Sequence, residues 1–98
     1  MKNAKIITDV TIPKEIRKHI TKIDIPDSVE YIGDTAFKWC IDLKSITIPT
    51  SVKNIGNLTF ADCKNLKPLT FKGKTIDQVK SMEYYPWGIE NKSIIKCI

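Results

Sequence analysis

The stretch Ile23-Asp-Ile-Pro-Asp-Ser-Val-Glu-Tyr-Ile-Gly-Asp-Thr-Ala-Phe-Lys-Trp-Cys-Ile-Asp-Leu43 is followed by a near copy, Ile46-Thr-Ile-Pro-Thr-Ser-Val-Lys-Asn-Ile-Gly-Asn-Leu-Thr-Phe-Ala-Asp-Cys-Lys-Asn-Leu66. Matched positions lie 23 residues apart, as Cys40 and Cys63 do. Self-similarity at a fixed period of this size is typical of solenoids built from stacked repeats. The sequence therefore predicts a short solenoid in which equivalent side chains of successive repeats lie on top of one another.

Each copy carries the same order of local signals. Ile23-Asp24-Ile25 and Ile46-Thr47-Ile48 alternate apolar and polar residues, which predicts a short strand with one buried side. A third strand, Leu69-Thr70-Phe71, is expected one step further on. A second short extended segment follows each proline, and then Gly33 and Gly56 are expected where φ is positive or the backbone approaches closely. A helical turn that carries a buried phenylalanine should come next.

The N-terminal segment is a shortened version of the repeat. Val10-Thr11-Ile12-Pro13 matches the strand and proline of the full copies, but the segment that should contain the turn and the cysteine is missing. We expect residues 1–22 to form a truncated coil that covers the first full repeat, because solenoids need atypical units at their ends.

The C-terminal segment changes character after Gly73. Thr75 and Gln78 have the spacing of a capping box, so a helix is expected there, ended by Pro86 and Gly88. Ser93–Ile98 is expected to form a last strand. The predicted layout of the single domain, 1–98, is a truncated coil (1–22), two repeats (23–45 and 46–68), and a final strand with a helix-plus-strand cap (69–98).

The repeated pattern Ile-x-Ile-Pro-x-x-Val-x-x-Ile-Gly-x-x-Ala-Phe-x-x-Cys-x-x-Leu resembles the BspA-like leucine-rich repeats, also called the Treponema pallidum type. The resemblance covers residues 23–71 closely and residues 10–16 in part, and departs from the pattern at Thr59, where alanine is usual. It implies an α/β solenoid: a short, right-handed leucine-rich-repeat stack of about four strands. Proteins of this family mostly bind other molecules, as surface adhesins do, and the resemblance implies no catalysis.

Composition narrows the classes of function. The chain has 98 residues, of which 42% are hydrophobic and 28% charged, as expected for one globular domain. No apolar run approaches the roughly 20 residues of a membrane span. The first nine residues lack the apolar core of a secretion signal, so a cytoplasmic protein with no membrane partner is expected. Three cysteines, an odd number, favour reduced thiols over a disulfide framework.

Side chains capable of catalysis or metal binding are scattered rather than clustered. Cys40 and Cys63 should be stacked neighbours that fill the core, and a zinc site would need four ligands. The lone histidine, His19, is expected on the surface. The carboxylates of the first full repeat are replaced by other residues in the second, and they are Asp24, Asp27, Glu30 and Asp34. We therefore predict no enzyme activity, no metal and no cofactor.

Three groups of residues are candidates for partner binding. The outward row of the strand ladder, about 20 Å across, is predicted to contain Thr11, Asp24, Thr47 and Thr70, flanked by Lys22, Ser45 and Lys72. The basic N-terminal coil offers Lys14, Arg17 and Lys18. The cap offers Tyr84, Tyr85 and Trp87, which are otherwise expected to attach it to the last repeat. For the first two groups, a solvated polar surface without a partner is the alternative.

The sequence favours a non-enzymatic module that binds another protein of unknown identity. A sharper hypothesis is a small inhibitor, encoded by a phage or mobile element, that docks in the host cytoplasm on a protein such as a defence nuclease. The net charge of +5 leaves nucleic-acid binding as an alternative. Dimerisation through an end or edge, as in a self-assembling fragment of an adhesin array, is a third possibility.

Overall fold

The computed structural model describes residues 5–8 and 10–98. Its elements, in chain order, are β1 (Ile6–Ile7), α1 (Lys14–Arg17), β2 (Tyr31–Ile32), β3 (Ile46–Ile48), β4 (Asn54–Ile55), β5 (Leu69–Phe71), α2 (Ile76–Lys80), a 3-10 helix (Lys92–Ile94) and β6 (Ile95–Cys97). Within these residues the strands form two three-stranded parallel sheets, ordered β1-β2-β4 and β3-β5-β6.

Each strand pairs with the strand one coil further along the chain. Ile46 pairs with Leu69, a spacing of 23 residues, and Leu69 pairs with Ile95, a spacing of 26. A single bridge between Lys22 and Ser45 extends the side of the β3-β5-β6 sheet by one earlier coil. We therefore divide the described chain into a first coil (residues 5–25), a second (26–48), a third (49–71) and a fourth (72–97).

The core consists of rows of equivalent side chains. Matched residues of the second and third coils are at most 4% exposed, as in the pairs Val29 and Val52, Ile32 and Ile55, Phe37 and Phe60, and Leu43 and Leu66. Full burial of one such side chain stabilises a fold by roughly 1.5–3 kcal/mol. The inward positions that the repeat pattern predicts are thus confirmed as the core.

The strand predictions are confirmed for β3 and β5 and, over the shorter range Ile95–Cys97, for β6. They need correction near the N-terminus, where Ile23-Asp24-Ile25 forms no strand and a single bridge at Lys22 takes its place. Val10-Thr11-Ile12 forms no strand, because Thr11 folds back on Thr8: the Thr11 amide donates to the Thr8 carbonyl at 3.1 Å, and the Thr8 amide donates to Oγ1 of Thr11 at 2.9 Å. Such local side-chain bonds compete with strand pairing. Ile6–Ile7 supplies the strand of the first coil instead, in the other sheet.

The turns after Gly33 and Gly56 bury Phe37 and Phe60 as predicted, but they are not helical. Their backbones enter the left-handed region at the second turn residue, where Thr35 has φ 56° and Leu58 has φ 55°. Positive φ occurs at neither Gly33 nor Gly56. The close approach is confirmed at Gly56, where an added Cβ would lie 2.6 Å from the carbonyl carbon of Gly33.

A short helix replaces this turn in the first coil. α1 ends at Arg17, whose side chain is 1% exposed. Its guanidinium donates to the carbonyl oxygens of Ile12 at 3.0 Å, Thr35 at 3.0 Å and Lys38 at 3.3 Å. Arg17 thereby satisfies backbone acceptors at the end of the stack, where no further coil is described.

The fourth coil is three residues longer than the second and the third and contains α2. The predicted capping box is confirmed: Oγ1 of Thr75 accepts from the Gln78 amide, and Oε1 of Gln78 accepts from the Thr75 amide. The helix ends at Lys80, earlier than the prediction of an end at Pro86, because a third copy of the turn spans residues 83–88. In this copy the Trp87 carbonyl accepts from the Phe60 amide at 2.9 Å.

Candidate binding surface on the strand ladder

The outward row of the β3-β5-β6 sheet is set by its register. Thr47, Thr70 and Lys96 pair directly with one another. Asp24 follows Lys22 as Thr47 follows Ser45, so the Lys22–Ser45 bridge places Asp24 next in the row. At the usual strand spacing, the row from Asp24 to Lys96 is about 14 Å long.

A shallow depression of about 250 Å³ lies beside this row. Five of the predicted partner-binding side chains contribute to its lining, namely Lys22, Asp24, Ser45, Thr47 and Lys72. All five are exposed. We call these five residues, together with Thr70 and Lys96, the ladder surface.

The outward row from Asp24 to Lys96 has opposite charges at its two ends, and Lys22 adds a cation beside Asp24. Asp24 lies at the N-terminal end, close to Asp27 in the same depression, whereas Lys96 lies at the C-terminal end. Sequence reasoning did not include Lys96, although the alternation of Ile95-Lys96-Cys97 in the predicted last strand was the available signal. A partner that carries charge would therefore bind in one preferred orientation along the row.

The predicted N-terminal candidates do not join the ladder surface. Thr11 belongs to a local turn and is half-buried, so its predicted place in the row is wrong. Arg17 is buried and bonded to three carbonyls, so its predicted exposure as a basic contact residue is also wrong. Lys14 and Lys18 are exposed, on α1 and directly after it.

The aromatic candidates of the cap divide into core and surface. Trp87 has no exposed surface, so its prediction as a partner contact is corrected, and it attaches the cap as the alternative prediction proposed. Its ring lies 5.5 Å from Phe71 and 5.4 Å from Tyr85, centre to centre. Tyr85 is half-buried and Tyr84 is 50% exposed. The carboxylate of Glu83, followed by that of Asp34, raises the pKa of Tyr84.

A larger groove of about 480 Å³ lies between the third and fourth coils, and sequence reasoning missed it. Between the second and third coils the equivalent space is closed, since Asn65 donates to the Ile41 carbonyl at 2.8 Å. The groove has an apolar floor that includes Phe60, Leu66 and Ile94. The longer spacing from Leu69 to Ile95 is the feature of the sequence that accompanies this groove. That spacing becomes apparent only once the strands are paired.

The cysteines fill the stack. Cys40 is buried, and Cys63 is half-buried, with its thiol 3.2 Å from the Phe37 carbonyl. A hydrogen bond with Cys40, and then burial, raise the pKa of the Cys63 thiol. Among the described residues no three His, Cys, Asp or Glu side chains lie close enough to hold a metal ion, and none of the described helices could span a bilayer.

Stacked coils with parallel ladders and a shared core define a repeat protein of the solenoid-like class. A family model described as the BspA type leucine-rich repeat region (6 copies) matches residues 15–94. The chain belongs to this family. The match extends through α2 and the 3-10 helix, beyond the residues on which the sequence resemblance rested. Neither the curated proteins nor the solved structures gave a match.

Proposed function

We propose that this chain acts without catalysis, by binding another protein through the ladder surface. The observation that carries the proposal is the convergence of Lys22, Asp24, Ser45, Thr47 and Lys72 around one depression. Leucine-rich repeats are generally binding modules, and exposed strands of stacked repeats provide the binding surface of such proteins.

The side chains of the ladder surface are available to a partner. In the described part of the chain, no hydrogen bond or ion pair engages the side chains of Lys22, Asp24 or Thr47. They are exposed on a rigid ladder, so little conformational entropy is lost when a partner binds them. A surface whose outward row is about 14 Å long suits one patch of a folded protein better than an extended ligand.

The proposal is tested by capture with matched variants of the tagged chain. Thr47→Arg places a bulky cation at the centre of the ladder surface, whereas Asn54→Arg makes the same kind of change on exposed β4 of the other sheet. Lysate of the source cells should yield a stoichiometric protein with the parent chain and with Asn54→Arg, but not with Thr47→Arg. Equal recovery by both variants, at equal thermal stability, would rule out the ladder surface.

Other sequence-based hypotheses stay predictions. The inhibitor of a host protein is the sharper form of the proposal, and an inhibition assay on the captured protein tests it. Nucleic-acid binding through residues 1–22 predicts a gel shift at about 50 mM salt that weakens steeply as salt rises. Burial of Arg17 lowers the exposed positive charge of that segment. End-to-end dimerisation predicts a mass that rises between two concentrations in light scattering.

A further inference from the structure

The turn occurs three times in the stack, and its sixth position has a positive φ in each copy. The sixth residues are Trp39 with φ 70°, Asp62 with φ 61° and Gly88 with φ 87°. Left-handed backbone suits glycine, and aspartate tolerates it, whereas a bulky side chain is an outlier there. Two of the three copies thus carry a residue that suits the geometry, and one carries tryptophan.

Trp39 is only partly buried despite this strain. Its side chain is 46% exposed, whereas Trp87 is fully buried. Its backbone amide donates to the Ala61 carbonyl at 3.0 Å, a bond that any residue except proline could make at this position. Residues held in strained backbone conformations cluster at functional sites. Tryptophan is also the residue type most enriched among the energetic centres of protein interfaces.

The surroundings of Trp39 restrict the chemistry of a partner. The ammonium of Lys38 lies 4.9 Å from the centre of the indole ring. A pocket that receives the ring must therefore accommodate this cation at its rim. Ile41 is 36% exposed two residues further on, and Arg17 bonds to the Lys38 carbonyl, which places α1 beside the turn. Ile16 of α1 is also exposed.

We infer that Trp39 anchors a second interaction surface, separate from the ladder surface, and inserts into an apolar pocket of a partner protein whose rim carries a carboxylate facing Lys38. An indole offers a large, rigid contact area with few torsions to fix, and the cation beside it selects pockets of the opposite charge. The net charge of +5 favours acidic partners in the same direction.

The first arm of the test separates a contact residue from a structural one, with no partner needed. Trp39→Gly introduces the residue that the fourth coil already has at this position. The melting temperature should stay within about 5 °C of the parent, because relief of strain offsets the flexibility of glycine. A fall of more than about 10 °C would show that Trp39 is part of the core and would overturn the inference.

The second arm measures binding. Parent chain, Trp39→Gly, Lys38→Glu and the control Leu58→Gly are used for capture, and each captured protein is then purified and titrated against all four. Leu58 is also exposed and also has positive φ, so its replacement makes the matched change at another turn position. We expect Trp39→Gly to weaken binding at least about 30-fold and Lys38→Glu to weaken it less, with Leu58→Gly near the parent.

Every other outcome counts against the inference. Retention of the protein by Trp39→Gly overturns it, whereas the ladder proposal is decided separately by capture with Thr47→Arg. Failure to capture any protein also overturns it. A thymidine 20-mer that binds the parent but not Trp39→Gly would assign the indole to base stacking. If the parent chain forms a dimer and Trp39→Gly is a monomer, the pocket that receives the indole belongs to a second copy of this chain.

Discussion

The second and third coils share most of their sequence, whereas the first and fourth continue the stacked core with different residues and different local structure. In the second and third coils many rows of the core contain the same residue type, as with Phe37 and Phe60. In the fourth coil the aromatic row continues with Trp87, and in the first coil Arg17 bonds to the exposed end of the turn stack. The difference shows that the fold requires filled rows and satisfied carbonyls, not a particular motif.

The largest expected loss of stability comes from a substitution in the fourth coil. Trp87→Ala removes a fully buried indole that contacts Phe60, Phe71 and Tyr85. It should lower the free energy of unfolding by about 3–5 kcal/mol, a large fraction of the stability of a domain of this size. Urea denaturation measures this loss. Tyr84→Ala, at an exposed position of the same turn, is the control, and an equal loss there would show that the aromatic row is not what attaches the cap.

The equivalent change at the other end of the stack is Arg17→Met. Methionine retains most of the packing volume but leaves the carbonyls of Ile12, Thr35 and Lys38 without the guanidinium. We expect a loss of about 2–4 kcal/mol, because buried polar groups without partners are costly. Lys18→Met, at an exposed neighbour, should change stability by less than about 0.5 kcal/mol. Similar melting temperatures for both variants would contradict this role of Arg17.

Gly33 and Gly56 occupy matched positions of the second and third coils but have different neighbours. Replacing each of them should therefore change the stability by a different amount. A Cβ at Gly56 would clash with the backbone of Gly33 and Asp34, whereas a Cβ at Gly33 would lie 3.3 Å from the Ile7 carbonyl oxygen. Gly56→Ala should therefore cost about 1–3 kcal/mol and Gly33→Ala less than about 1 kcal/mol. Thermal unfolding of the two variants measures both losses of stability. A larger loss for Gly33→Ala than for Gly56→Ala would contradict the close approach at Gly56.

The smallest expected loss of stability concerns Thr59, which stands where the repeat pattern usually has alanine. Its hydroxyl donates to the Gly56 carbonyl at 2.7 Å and lies 3.2 Å from that of Gly33. Thr59→Ala restores the repeat residue but should cost about 0.5–1.5 kcal/mol. Thr47→Ala, at an exposed threonine, provides the reference in the same denaturation series. A gain in stability on restoring alanine would mean that the hydroxyl contributes nothing.

Periodicity alone was enough to predict the regular part of the fold. Equal spacing of Ile46, Leu69 and their neighbours predicted the ladder, and the spacing of Thr75 and Gln78 predicted the capped helix. All residues of the ladder surface except Lys96 were predicted from the alternation along strands that are themselves periodic.

The missed features depend on contacts that have no period. Thr11 bonds locally to Thr8, so a matching residue pattern did not yield a strand. A charged residue such as Arg17 is rarely buried, and its burial here follows from carbonyls presented by another coil. Lys96 joined the row only through a spacing of 26 residues, which the 23-residue pattern does not contain.

The position of α2 bears on how this array could grow. It occupies the place 23 residues after β4 where another strand of the β1-β2-β4 sheet would fall, and the Lys74 ammonium ties it to the Val52 carbonyl at 3.1 Å. A helix at this place presents no strand edge to a following strand of that sheet. Duplication of a 23-residue unit is therefore compatible with the fold upstream of α2. A longer descendant, natural or engineered, would gain its coils there and keep its last coil unchanged.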